Sequence, residues 1–496
     1  ATLVNLDVLA NVTGTVDWLV VTPDGLFDGS PSAWQQIMWR FSPNTFDVGP
    51  VEIFFNELYY PGLAGEIFSG RRPKAPRDLQ QIDRRQPNVA LSHTATGEIA
   101  TRLLTVRIDV AEAPADAARG QGSGARDVRL FRNGTLVKLW PGDVLGGQAR
   151  TSLETTLPIV AGENRLTAYA FNRENVKSAD TSLTVTGAAS LNRQGTAYVL
   201  ALGVNQYDNA QYNLKYAVAD ATTFADEIRA QQGKVGRFDR VEVVELLDKD
   251  ATKANVLLAL RRLASNVALP PGAPAAFAKL SQAEPEDAVI IYFAGHGTAQ
   301  GARFYLVPHD LGYSGPRAGI DAQAVETILS HSVSDLELES AVEGLQAGQL
   351  VLVIDACNSG QALEAEEKRR GPMNSKGLAQ LAYEKGMYIL TAAQSYQAAL
   401  ETSQLGHGYL TFTLVEESLK KGMADLGQKD GQVLVREWFD YAIERVPEMQ
   451  QNNNDTRLLL AQDDKMADQN TVRNLQSPRA FYRREVEAIP VIIGKP

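Results

Sequence analysis

From about residue 194 the chain carries apolar runs too continuous to leave a wet face. TAYVLALGV (196–204), DAVIIYFA (287–294) and QLVLVID (349–355) show almost no polar alternation, the pattern of strands buried on both faces of a parallel sheet. RVEVVELL (240–247) and MYILTAA (387–393) read as further strands. Between the strands, AVADATTFADEIRAQQ (217–232), TKANVLLALRRLASNV (252–267) and SDLELESAVEGLQ (334–346) have helical spacing, with Thr252 placed to cap the second. GYLTFTLVEESLKKG and LVREWFDYAIERV read as closing helices. Strand–helix alternation of this kind demands an α/β fold, a mainly parallel sheet with helices on both faces.

The preceding sequence has another texture. Residues 88–188 form about seven short alternating segments divided by polar turns, including RNGT, an Asn-Gly hairpin signal. This predicts an all-β sandwich of immunoglobulin type, suited to binding or spacing. Residues 71–87 carry six basic and two acidic residues with three prolines, the composition of a linker. Residues 1–70 are rich in aromatics, with helical segments expected at WQQIMWRF and VEIFFNELYY. An α/β domain is expected over 194–462, followed by a polar, extended tail at 463–496.

Composition narrows the classes. The 496 residues sum to a formal charge of −11, which disfavours a nucleic-acid partner. No apolar run reaches the length of a membrane span. The first residues lack a basic stretch and a cleavage pattern, so no signal peptide is read. The chain starts without Met and is expected to be a piece of a longer protein. A single cysteine, Cys357, excludes an intrachain disulfide and suits a reducing, cytoplasmic setting.

Two strand ends carry the chemistry, IIYFAGHG (290–297) and LVLVIDACNSG (350–360). Open α/β sheets place their reacting groups at such C-terminal ends. A cysteine at a strand end is ordinarily an inert small hydrophobe, and a histidine between glycines is ordinarily a turn residue. Their joint placement at two sheet-edge positions favours a reactive pair, because a thiol needs a base beside it to become a nucleophile. The N–H groups of Gly297 and Cys357 could serve an oxyanion. His309, after YLVP, and His407, in LGHGY, are the other candidate bases. A dinucleotide loop at GHGTAQG fails, since Gln300 takes the third glycine position and a strand comes next instead of a helix.

YFAGHG followed by DACNSG resembles the catalytic pair of caspase-like cysteine peptidases, in particular the metacaspase and bacterial orthocaspase branch. The resemblance runs over roughly 196–460 and includes VLALGVNQYDN, YLVPHD and TAAQSYQAALE. It implies a caspase-like fold with a six-stranded sheet, His296 as general base and acid, and Cys357 as nucleophile. It further implies Asp355 and Asp220 as the walls of a pocket for a P1 Arg or Lys. Two carboxylates would there pair a basic side chain; for Asp220 the alternative is a carboxylate on a helix surface. The loop 362–377, ALEAEEKRRGPMNSKG, is where the family self-cleaves, offering Lys368, Arg369, Arg370 and Lys376. The motif departs from the commoner DSCHSG of metacaspases, which leaves fine specificity open.

The implied function is an endopeptidase in a bacterial regulatory, cell-death or defence pathway, acting on protein or peptide substrates. An activator could dock on the β-sandwich or on a module preceding residue 1. The region near TPDGLFDGSPSAWQQIMWRF weakly resembles the segment next to the β-propeller repeats of some bacterial caspase-like proteins. No cofactor is required, and no metal site is read. DKDATKANVLLA lacks the glycine and terminal glutamate of a calcium loop, which leaves calcium activation open. The rival reading is a catalytically silent adaptor of the same fold.

Overall fold

The computed structural model describes residues 5–10, 16–30, 33, 38–40, 48–68, 70–77, 81–300, 303–317, 320–358, 376–392, 401–402, 406–427, 429–460, 476–482 and 490–496. The chain divides into two compact units, one of residues 1–193 with two short later segments, the other of most of 194–496.

In the first unit, seven strands form two antiparallel sheets. Asn88–Ser92, Leu103–Ala111 and Arg150–Pro158 make one; Arg126–Arg132, Thr135–Asp143, Gly162–Phe171 and Thr181–Gly187 make the other. In LLTVRIDVA the buried residues Leu104, Val106, Ile108 and Val110 alternate with polar neighbours, as period-two geometry requires of a sheet with one dry face. They share a core with Val128, Leu130, Leu166, Ala168 and Val185 of the other sheet. The RNGT hairpin forms with Arg132 opposite Thr135 and positive φ at both Asn133 and Gly134, the backbone that the Asn-Gly pair favours. Ahead of the sheets, the sequence expectation of a helix through WQQIMWRF is corrected over its described residues, 38–40. Met38–Arg40 is a strand paired with Val48–Pro50, because cross-strand pairing overrides the local helical spacing. VEIFFNEL does turn helical, over Val51–Phe54 and Phe55–Leu58.

The second unit is built on a sheet whose main run is six strands, in the order Phe238–Leu247, Gly195–Gly203, Ala288–Gln300, Gln349–Asn358, Tyr388–Thr391 and Arg479–Phe481. The first five are mutually parallel and the last is antiparallel. Every residue of Gly195–Gly203 is buried. Val199, Ala201, Ile290, Tyr292, Val351 and Val353 pack with Phe224, Leu414 and Trp438 of the helices on one face. Their neighbours Leu200, Leu202, Ile291, Phe293, Leu352 and Ile354 are also buried, so both faces are covered, which explains the unbroken apolar runs. Thr252 caps the helix Lys253–Ser265 by accepting the Asn255 N–H at 3.2 Å.

The strand order matters for the site. Strand Gly195–Gly203 sends the chain to one side, toward Phe238–Leu247, and the later strands add on its other side. The order in which strands are added therefore reverses between Gly195–Gly203 and Ala288–Gln300, the topological position at which open α/β sheets bind their ligands, beyond the C-terminal strand ends.

Of the polar, extended tail expected at 463–496, the described parts include short extended strands that join the second unit. Arg479–Phe481 adds to the sheet edge, and Ile492–Gly494 pairs with Val433–Leu434. Val491 and Ile493 enter the core, and Gln232 Nε2 donates to the carbonyls of Ile492 and Ile493 at 3.1 and 2.8 Å. A few apolar residues in a polar context suffice, because one short strand needs only an open edge and two side chains to bury. Among the described residues no helix is long and apolar enough to cross a membrane.

Candidate active site

The two strand ends singled out by sequence are neighbours. Ala288–Gln300 and Gln349–Asn358 run parallel in register from Ala288 with Gln349 to His296 with Cys357 and Gly297 with Asn358. Adjacent strands lie about 4.8 Å apart, so the register brings the backbones of His296 and Cys357 side by side. The histidine strand continues into a hairpin with Arg303–Val307, where His296 faces Val307. This strand continuation removes the dinucleotide-loop alternative structurally.

His296 is held by the loop that leaves Gly195–Gly203, at the reversal of the sheet. Its backbone N–H donates to Tyr207 Oη at 2.8 Å, and the Tyr207 ring lies against the imidazole at a 5.0 Å centroid distance. Its Nε2 sits 2.7 Å from the Tyr212 carbonyl oxygen. A carbonyl can only accept, so Nε2 carries the proton and Nδ1 holds the lone pair. Nδ1 is buried and has no hydrogen-bond partner among the described residues. Burial pushes the imidazole down to about 4, with the Tyr212 carbonyl opposing and Arg317 reinforcing the shift. The ring is therefore a neutral base across the physiological range. Neither tyrosine was legible as a site residue; NQYDNAQYN signals a loop, and only the sheet reversal brings that loop over the histidine.

Two strand positions before Cys357, Asp355 enters a buried polar cluster. Its Oδ2 accepts from Thr411 Oγ1 at 2.5 Å and from Tyr292 Oη at 3.4 Å, and the Tyr292 and Thr411 oxygens are themselves 2.5 Å apart. Asp220 lies in the first turn of helix Ala217–Val235 and is 4% exposed, which removes the surface-carboxylate alternative. Both carboxylates converge on the backbone of Gly408. Its N–H lies 3.2 Å from Asp220 Oδ2, and a Cβ added there would stand 3.0 Å from Asp355 Oδ2 and 3.4 Å from Asp220 Oδ2. Burial pushes Asp355 up to about 7, and the negative charge of Asp220 adds to the rise. Asp220 is also raised by burial, which outweighs its bonds to His407 and Gly408. Two carboxyls in one desolvated space resist ionising together.

The remaining candidates separate. His407 Nδ1 bonds Asp220 Oδ1 at 2.7 Å, so it belongs to the acidic cluster and is corrected as an alternative base for Cys357. His309 pairs with Asp208 and the Gln206 carbonyl at 3.0 and 2.6 Å, engagements that occupy both ring nitrogens and remove it as a candidate. Lys376 opens the helix Lys376–Lys385; Lys368, Arg369 and Arg370 lie outside the described residues.

No curated protein matches the chain. Among solved structures, the fibronectin(III)-like modules of Clostridium thermocellum CbhA match at 14% identity and a TM-score of 0.14, covering 20% of this chain and 99% of theirs. The SrpA adhesin of Streptococcus sanguinis matches at 13% identity and a TM-score of 0.16, covering 29% and 77%. The model of the caspase domain matches residues 196–454. That stretch is more than half of the chain and holds the whole of the site above, and the chain belongs to the caspase-domain family of cysteine peptidases.

Proposed function

We propose that this protein is a cysteine endopeptidase of the metacaspase/orthocaspase branch that cleaves after Arg or Lys through a His296–Cys357 dyad. The observation that carries the reading is the cross-strand pairing of His296 with Cys357, joined to a tautomer that leaves Nδ1 unprotonated and, among the described residues, without a hydrogen-bond partner. In the cycle, Nδ1 takes the thiol proton as sulfur attacks the scissile carbonyl carbon. The N–H groups of Gly297 and Cys357 are the proposed donors to the developing oxyanion. His296 then passes its proton to the leaving amine, the C–N bond breaks, and a thioester remains. Water, deprotonated by the same nitrogen, attacks the thioester and returns the thiol.

The convergence of Asp220 and Asp355 at Gly408 supports the basic specificity. A monocation is the ligand that lets two buried carboxyls ionise together, and a guanidinium or ammonium on a P1 side chain supplies it. Self-processing within 362–377 follows from the same preference. The two antiparallel sheets of residues 88–187 are proposed as an immunoglobulin-like module that positions or recruits partners.

The test is a P1-diverse peptide library against wild type and Cys357→Ala. Wild type should cleave after Arg and Lys and the variant after nothing. Equal hydrolysis by both would overturn the assignment of the nucleophile. Failure of the wild type on every P1 residue, with no labelling of Cys357 by a thiol-directed peptide probe, would favour the silent adaptor.

A further inference from the structure

Asp220 does not face an empty space in the resting protein. Oδ1 is bonded to His407 Nδ1 at 2.7 Å, and Oδ2 takes the Gly408 N–H at 3.2 Å. His407 sits in a short strand, with Thr402 opposite it and Glu401 opposite Gly408. Its side chain is 18% exposed against 5% for Asp220, so it lies at the rim with the carboxylate beneath. Among the described residues three more charged groups act near it: Asp355 across Gly408, and Glu416 and Lys420 on the following helix. Glu416 and Lys420 are bonded to each other at 2.5 Å, so their fields largely cancel. Asp220 is the partner that decides the charge of the ring.

We propose that His407 is the resident cation of the acidic pocket, keeping Asp220 ionised before substrate arrives and so setting the acid limit of basic side-chain binding. The inference rests on the reading of Asp220 and Asp355 as a basic P1 pocket. Two desolvated carboxyls without a cation share a proton, and a shared proton neutralises the charge that a guanidinium needs. One imidazolium at the rim balances Asp220 and leaves Asp355 for the ligand. The bond to Asp220 in turn raises the imidazole above its ordinary value, partly offset by burial, so the ring stays charged where a free histidine would not. His407 is thus a positioning residue for the pocket charge and has no part in bond breaking.

The experiment measures the inhibition constant of benzamidine, a small cation that can fill a basic pocket without acylation, from pH 5 to 9. Wild type, His407→Gln and His407→Lys are compared on an Arg-P1 fluorogenic peptide. In His407→Gln the acid loss of binding should move to higher pH by about one unit, the effect of removing one adjacent charge. His407→Lys, a permanent cation, should restore the wild-type midpoint. An unmoved midpoint in His407→Gln, or a Lys variant that behaves like Gln, overturns the proposal while leaving basic specificity intact. Absence of both Arg-P1 cleavage and benzamidine inhibition in the wild type overturns the pocket itself, and this proposal with it.

Discussion

His296 stands opposite Cys357 in a parallel register that runs unbroken from Ala288 and Gln349, while its Nε2 is tied at 2.7 Å to the Tyr212 carbonyl. The first relationship brings the proposed base and nucleophile to the same C-terminal end of the sheet. The second turns the base the right way round, since only the nitrogen away from Tyr212 keeps a lone pair. Replacing His296 with Gln should lower kcat/KM by about 10²–10⁴, with the folding transition retained. A loss of less than tenfold would show that another group takes the thiol proton.

Tyr207 supports that ring through its hydroxyl and its face. Tyr207→Phe keeps the face and leaves the buried His296 N–H without an acceptor, a cost of about 1–3 kcal/mol. Reduced thermal stability is expected, with a fall in kcat larger than any rise in KM. Steady-state kinetics beside a melting curve tests this, and an unchanged melting temperature would count against the bond.

Asp355 opposes stability for the sake of its site. Its folded value is raised to about 7 from 3.8, so between those limits the unfolded chain loses a proton that the folded chain keeps. Stability therefore falls as pH rises through that window and stays reduced above it. Asp355→Asn should be more stable than wild type at pH 8 by roughly 1–4 kcal/mol, with the gap closing near pH 4. The same variant should lose cleavage after Arg and Lys. Melting at the two pH values, with a P1 library at pH 8, checks both halves.

The pH profile should divide between the two parts of the site. His296 is held down to about 4, so its imidazole remains neutral at pH 6, while Asp355, raised to about 7, takes up a proton near neutrality. On acidification from pH 8 to 6, KM for an Arg-P1 peptide should rise by up to about tenfold per unit below the transition, with kcat nearly level. A kcat that falls in step with kcat/KM would place the titration on the dyad.

Gly408 is required by what surrounds it. A Cβ there would press on Asp355 Oδ2 at 3.0 Å. Gly408→Ala should cost about 1–3 kcal/mol of crowding and raise KM for basic peptides, leaving labelling of Cys357 by iodoacetamide unaltered. Unchanged KM would show that the carboxylates can withdraw from the glycine.

The strands, their buried character and the two strand ends that carry His296 and Cys357 were legible because each is a local property. A run such as VIIYFA has no polar residue to face water, and GHG or ACNSG comes directly after along the chain. The motifs also led to Asp355, two residues from the cysteine. What sequence alone could not settle was the company each residue keeps. WQQIMWRF has helical spacing, yet Met38–Arg40 pairs as a strand. The stretch after 462 reads as polar, yet Val491 and Ile493 complete the core. His407 looks like one more candidate base until the fold places it against Asp220, 187 residues earlier. Tyr212 contributes a backbone carbonyl, a group every residue has, so no side-chain pattern could mark it. Sequence by itself determined the α/β class and singled out the strand ends that carry His296 and Cys357, through hydrophobic periodicity and local motif. Tertiary structure alone decided the tautomer of the base, the depth of Asp220 and the partner of His407, because hydrogen bonding and desolvation depend on neighbours that are distant in the chain.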